Sequence, residues 1–152
     1  MKSRPVLWIL LFATALLTIG AICNSQPRTV RPVALKLAPK SALPEFAQNA
    51  PEPVQEAYRY AIANPEPLQA IPCYCGCRAM NHEHNLACYI KNVGPDGTIE
   101  FDNHAYGCQI CVDITQDVMR LSRQGEDLKA IRTYVDAEYK KFGPPTNTAP
   151  IR

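Results

Sequence analysis

Residues 72–111 read PCYCGCRAMNHEHNLACYIKNVGPDGTIEFDNHAYGCQIC. They hold Cys73, Cys75, Cys77, Cys88, Cys108 and Cys111, six of the seven cysteines in the chain. They also hold all three histidines, His82, His84 and His104. The order is C-x-C-x-C, a lone Cys, then C-x-x-C. In an extended chain the first three thiols point to one face, with neighbours about 6.6–6.8 Å apart. Disulfides want Cα separations near 5.5–6 Å and Cβ atoms that face one another. The three are poorly placed to bridge each other and well placed to converge on a soft ligand. Gly76 lets the loop curl and Pro72 fixes its entry. Cys108 and Cys111 open a helix expected from Ile110, where a helix N-terminus favours thiolate.

Outward from this span, Pro53 to Ala63 reads as a helix with Pro53 in its first turn. Leu86–Val93 and Thr98–Phe101 flank Gly94-Pro95-Asp96-Gly97 as the arms of a short hairpin. Ile110, Ile114, Val118 and Leu121 recur at helical spacing, and Gly125 breaks the run. Leu128, Ile131, Val135 and Phe142 continue on a second helix ending at Gly143. Met119 joins the core, and Tyr134 and Tyr139 are packing residues at its edge. The expected fold is mainly α, with a small α+β arrangement as the alternative: a compact Cys-rich helical domain over residues 51–143 with one short hairpin. A core of that size is marginal by itself, so disulfides or a metal should reinforce it.

Residues 24–50 carry Pro27, Pro32, Pro39 and Pro44 and read as an extended Pro-rich tether. Residues 144–152 read as a disordered tail, because Pro144 and Pro145 stop any helix. The 14 prolines of the 152 residues are about twice background and support an extended share of the chain. Val6–Ile22 is an unbroken uncharged run behind Lys2 and Arg4, a signal peptide or membrane anchor over residues 1–23. Cys23 closes it as a lipidation candidate, although Ile22 is large where a lipobox wants a small residue. Export to the extracytoplasmic face of the cell membrane is the expected location.

Of 16 basic and 14 acidic side chains, Lys2 and Arg4 precede the apolar run. Residues 24–152 therefore balance 14 against 14, which removes the electrostatic case for a nucleic-acid partner. No Gly-rich phosphate loop and no Gly-x-Ser-x-Gly elbow is present. Val112 stands where covalent haem attachment needs a His, and the Cys spacing is not that of a ferredoxin.

Three readings of the cysteines remain. The first is a metal–thiolate site whose ligands are Cys73, Cys75, Cys77, His82, Cys88, His104, Cys108 and Cys111, enough for two ions. The second is three structural disulfides in an oxidising compartment. The third is a thiol–disulfide oxidoreductase on Cys108-Gln-Ile-Cys111, which lacks an accompanying βαβ pattern. His84 reads equally as a turn residue or a ligand. If residues 79–90 are helical, Met80, His84 and Cys88 share a face, with Met80 lining the core. Asp102 either orients His104 or caps a turn.

Pro72-Cys73-Tyr74-Cys75-Gly76-Cys77 resembles the signature of the PCYCGC-motif (lipo)proteins. The likeness extends to His82 followed six residues later by Cys88, to Asp102-Asn103-His104, and to Cys108-Gln-Ile-Cys111-Val-Asp113. Ile131-Arg132, Asp136 and Tyr139 resemble its C-terminal elements. The likeness covers about residues 53–142 and implies an exported, often lipid-anchored protein. It departs at the lipobox and in a shortened stretch between Cys77 and His82. Together these features point to a membrane-tethered, non-catalytic Cys/His protein that handles Cu(I) or Zn(II), with a metal-donor or acceptor protein as partner. Thiolates suit both ions and exclude oxygen-loving metals. A disulfide-stapled interaction module is the alternative.

Overall fold

The computed structural model describes residues 33–151. The Val6–Ile22 run and Cys23 lie outside the described residues. Among the described residues no helix is long and apolar enough to cross a membrane. About half of them are helical, with one two-stranded sheet.

Five helices carry the fold: α1 (Glu45–Gln48), α2 (Glu52–Ala63), α3 (Pro65–Gln69), α4 (Gln109–Arg123) and α5 (Leu128–Tyr139). Helix α4 is central, packing against α2 on one side and α5 on the other. Its buried residues Cys111, Ile114, Thr115, Val118, Met119 and Leu121 recur three or four apart, one stripe of the helix. The facing stripes are Val54, Ala57, Tyr58 and Ala61 on α2, and Ile131, Val135 and Tyr139 on α5. Gly125, at φ 78°, ends the α4 segment in a conformation that disfavours a side chain. The Asp127 carboxylate then accepts from Ala130 N at 2.8 Å and caps α5.

The expected helices therefore form with small changes at their ends. Helix α5 stops at Tyr139, three residues short of Phe142, which is 52% exposed and outside the core. Tyr139 is buried while Tyr134 is exposed on the outer face.

The hairpin is shorter than expected. Strands β1 (Ile90–Val93) and β2 (Ile99–Phe101) pair antiparallel with Val93 opposite Ile99, and a bulge lies between Ile90 and Asn92. Residues Asn85–Cys88 instead form a 3-10 turn that buries Leu86 and Cys88. Residues 79–90 are not one helix. Met80 is exposed, at the end of a separate 3-10 turn over Cys77–Met80. Asn81, at φ 63°, breaks the path after that turn.

Two segments read as unstructured pack on the domain. From residue 33 onward the Pro-rich stretch is ordered: Leu43, Ala47 and Ala50 are buried, and Leu35 and Leu37 pack against the core. Its backbone is anchored by Val33 N to Arg123 O at 3.0 Å and Arg59 Nε to Ala38 O at 2.6 Å. Pro39 and Pro44 precede short helical turns, where a missing N–H costs nothing. Proline density thus misread a wrapped arm as a tether; residues 24–32 lie outside the described range. The C-terminal stretch also docks. Thr146 is buried, and Arg132 donates to Ala149 O at 2.5 Å.

Candidate metal centre

Three segments bring the cysteines together. The loop from Cys73 to Cys77 turns at Gly76, whose φ of 84° suits glycine. The 3-10 turn Asn85–Cys88 supplies Cys88. Cys108 sits at the N-cap of α4 and Cys111 in its first turn. His104 precedes a short 3-10 turn, Ala105–Gly107, that leads into α4.

The donors sort into two groups. Atoms of Cys75, His104, Cys108 and Cys111 all lie within 4.8 Å of one another. So do those of Cys73, Cys77 and Cys88. The C-x-C-x-C segment is therefore not one flat face. The turn at Gly76 folds Cys77 back beside Cys73, while Cys75 joins the C-x-x-C pair. His82 falls outside both groups, but its Nδ1 is 3.4 Å from Cys88 Sγ. His84 Nδ1 accepts from Ala87 N at 3.3 Å, so this histidine caps its turn.

The sulfurs are in contact without being bonded. Cys73 Sγ lies 3.4 Å from both Cys75 Sγ and Cys111 Sγ, Cys75 to Cys111 is 3.5 Å, and Cys77 to Cys88 is 3.8 Å. All six of these cysteines are free thiols. A disulfide needs about 2.05 Å. Metal–sulfur bonds of about 2.3 Å in a tetrahedron give a sulfur–sulfur edge near 3.8 Å. Cys75 Sγ to His104 Nε2 is 3.3 Å, also close to the edge expected of a mixed S/N site. The Cys/His groups could thus hold a metal ion.

Crowding divides the thiols. The Cys111 S–H directed at Cys73 holds that thiol down at about 4. Cys108 and Cys111 likewise hold Cys75 below the ordinary thiol range. Cys111 itself is pushed up by its contacts with Cys108, Cys73 and Cys75. Adjacent sulfurs cannot all carry charge away from water, so protons stay on some of them until a cation arrives.

A second layer orients these side chains. Asp102 Oδ1 accepts from His104 N at 2.7 Å, a turn cap, while its Oδ2 lies 3.7 Å from His82 Nε2. Asp102 therefore faces the ring of His82 and sets only the backbone of His104. Beneath the cluster, Tyr89 Oη donates to Cys111 O at 2.9 Å and Asn85 Nδ2 donates to the same carbonyl at 3.3 Å. Thr115 Oγ1 donates to Asn85 Oδ1 at 2.7 Å. All three side chains are fully buried. The sequence reading missed this network; the signals were an Asn three residues before Cys88 and a Thr one helical turn after Cys111.

The C-terminal stretch closes the other side. Cys73 N donates to Thr146 Oγ1 and Thr146 N donates to Cys73 O, both at 2.9 Å. Tyr74 Oη donates to Asp136 Oδ1 at 2.6 Å, and Arg132 Nε pairs with the same carboxylate at 3.7 Å. A model of the family described as "Protein of unknown function with PCYCGC motif" matches residues 29–151. The chain belongs to this family. No curated protein and no solved structure matches it. The family match takes in the N-terminal arm and the C-terminal stretch as well as the cysteines, and residues 33–151 of it pack as one unit. Within this PCYCGC chain, Arg132 and Asp136 grip the tyrosine of the motif, and Tyr139 donates to Asp117 Oδ2 at 2.7 Å to tie α5 to α4.

Proposed function

We propose that this PCYCGC protein is a non-catalytic carrier of a soft metal ion, Cu(I) or Zn(II), held outside the cytoplasm by an N-terminal membrane tether. The observation that carries the reading is the convergence of Cys75, His104, Cys108 and Cys111, four soft donors from two distant segments within 4.8 Å. Three thiolates and an imidazole suit d¹⁰ ions and leave hard cations such as Mg²⁺ or Ca²⁺ without oxygen ligands. Cys75 and Cys108 are partly exposed, which gives a donor or acceptor protein access for ligand exchange. The tether rests on Val6–Ile22, with Cys23 as the candidate lipid attachment.

The test is metal analysis of protein purified anaerobically, together with a thiol count before and after chelation. Bound Cu or Zn is expected, with thiols that become reactive only once the metal is removed. Cys75→Ser should lower the metal content. Metal-free protein with three disulfides among the six cysteines, prepared without oxidation, overturns the reading. Membrane fractionation tests the tether, and a fully soluble full-length protein removes it.

A further inference from the structure

We infer that the two cysteine groups form one dinuclear centre, in which the sulfur of Cys111 bridges two four-coordinate divalent d¹⁰ ions. The inference rests on the metal-binding reading above and deepens it to stoichiometry, charge and connectivity.

Cys75, His104, Cys108 and Cys111 complete one tetrahedral set. Cys73, Cys77 and Cys88 make only three corners of another, and all three are buried. The fourth corner must come from a neighbouring donor. Cys111 is fully buried, belongs to the first group and lies 3.4 Å from Cys73 of the second. Its carbonyl is pinned by Tyr89 and Asn85, which fixes the first turn of α4 and so limits where its sulfur can sit. His82 is the competing fourth donor. Its Nδ1 lies 3.4 Å from Cys88, but it belongs to neither group, whereas Cys111 is already a member of the first and would join the two.

Charge favours two divalent ions. Six thiolates carry six negative charges. Two divalent ions leave a net of minus two and two monovalent ions a net of minus four. Among the described residues no Lys or Arg makes a hydrogen bond or ion pair with any of the six sulfurs, and a larger uncompensated charge at a buried site is the more costly.

The experiment is ¹¹³Cd NMR of the protein reconstituted with ¹¹³Cd(II), with zinc stoichiometry by native mass spectrometry alongside. Two resonances are expected, each split into a doublet by coupling through the shared sulfur, and two zinc ions per chain. Cys88→Ser and Cys77→Ser should each leave one unsplit resonance, from the Cys75–His104–Cys108–Cys111 set. Two unsplit resonances in the wild type overturn the bridge. One resonance and one zinc overturn the second site and leave the carrier reading intact. If neither Cd nor Zn is retained, the dinuclear centre falls and the carrier reading is confined to Cu(I).

Discussion

The buried network under Cys111 offers a perturbation whose size can be worked out in advance. Asn85 is fully buried, accepts from the Thr115 hydroxyl at 2.7 Å and donates to Cys111 O at 3.3 Å. Asn85→Ala removes both bonds and leaves a void of three heavy atoms in a sealed site. The Thr115 hydroxyl can turn to Cys111 O, 3.2 Å away, but Tyr89 already donates there. Two net hydrogen bonds at about 1 kcal/mol each, plus the void, give a loss of about 2–4 kcal/mol. Tyr89→Phe is the control. It removes a hydroxyl that also meets Thr115 Oγ1 at 2.7 Å, but Asn85 keeps its bonds to Cys111 O and to Thr115, so the loss should be about 1 kcal/mol. With a urea slope of about 1–3 kcal/mol per molar, Asn85→Ala should lower the unfolding midpoint by about 1–2 M. Tyr89→Phe should move it by about a third of that. The readout is urea unfolding of metal-loaded protein, followed by far-UV circular dichroism. Equal losses for the two variants, or a loss below about 0.5 kcal/mol for Asn85→Ala, would refute the account of this network.

Ile131 on α5 is 2% exposed, so Ile131→Ala should cost about 2–5 kcal/mol by the same assay, and a change of a few tenths would mean its packing is misplaced. Metal affinity should fall as pH falls. The Cys111 thiol is pushed up by Cys108 and its other sulfur neighbours, so it carries a proton at neutral pH that metal must displace. Titration calorimetry in buffers of different ionisation enthalpy should show proton release on binding, and binding without release would contradict that protonation state.

Much of the helical frame was legible because apolar side chains at three- and four-residue spacing have one way to be buried. The α4 stripe of Ile114, Val118 and Leu121 is such a case, and Gly125 marked the break. The candidate donors were legible from residue type, since six cysteines and three histidines within residues 73–111 have few shared uses. Their partition was not. Alternation along an extended strand puts Cys73, Cys75 and Cys77 on one face, but the positive φ at Gly76 redirects the chain. Whether Asp102 orients His104 or caps a turn depended on the path of the loop after Phe101, which carries no sequence period. The arm from Val33 and the residues after Gly143 were misread because proline was taken as a sign of disorder. In both places the side chains between prolines, Leu43, Ala47 and Thr146, decide the outcome by being buried.

The reciprocal hydrogen bonds between Cys73 and Thr146 have a consequence for the order of folding. They join the first cysteine of the cluster to a residue 73 positions later. Closing so long a loop costs chain entropy that forming a local helix does not, so the seat of Cys73 forms among the last contacts of the fold. Until then its backbone has no hydrogen-bonded frame, and the stretch around Thr146 acts as the latch that closes the cluster.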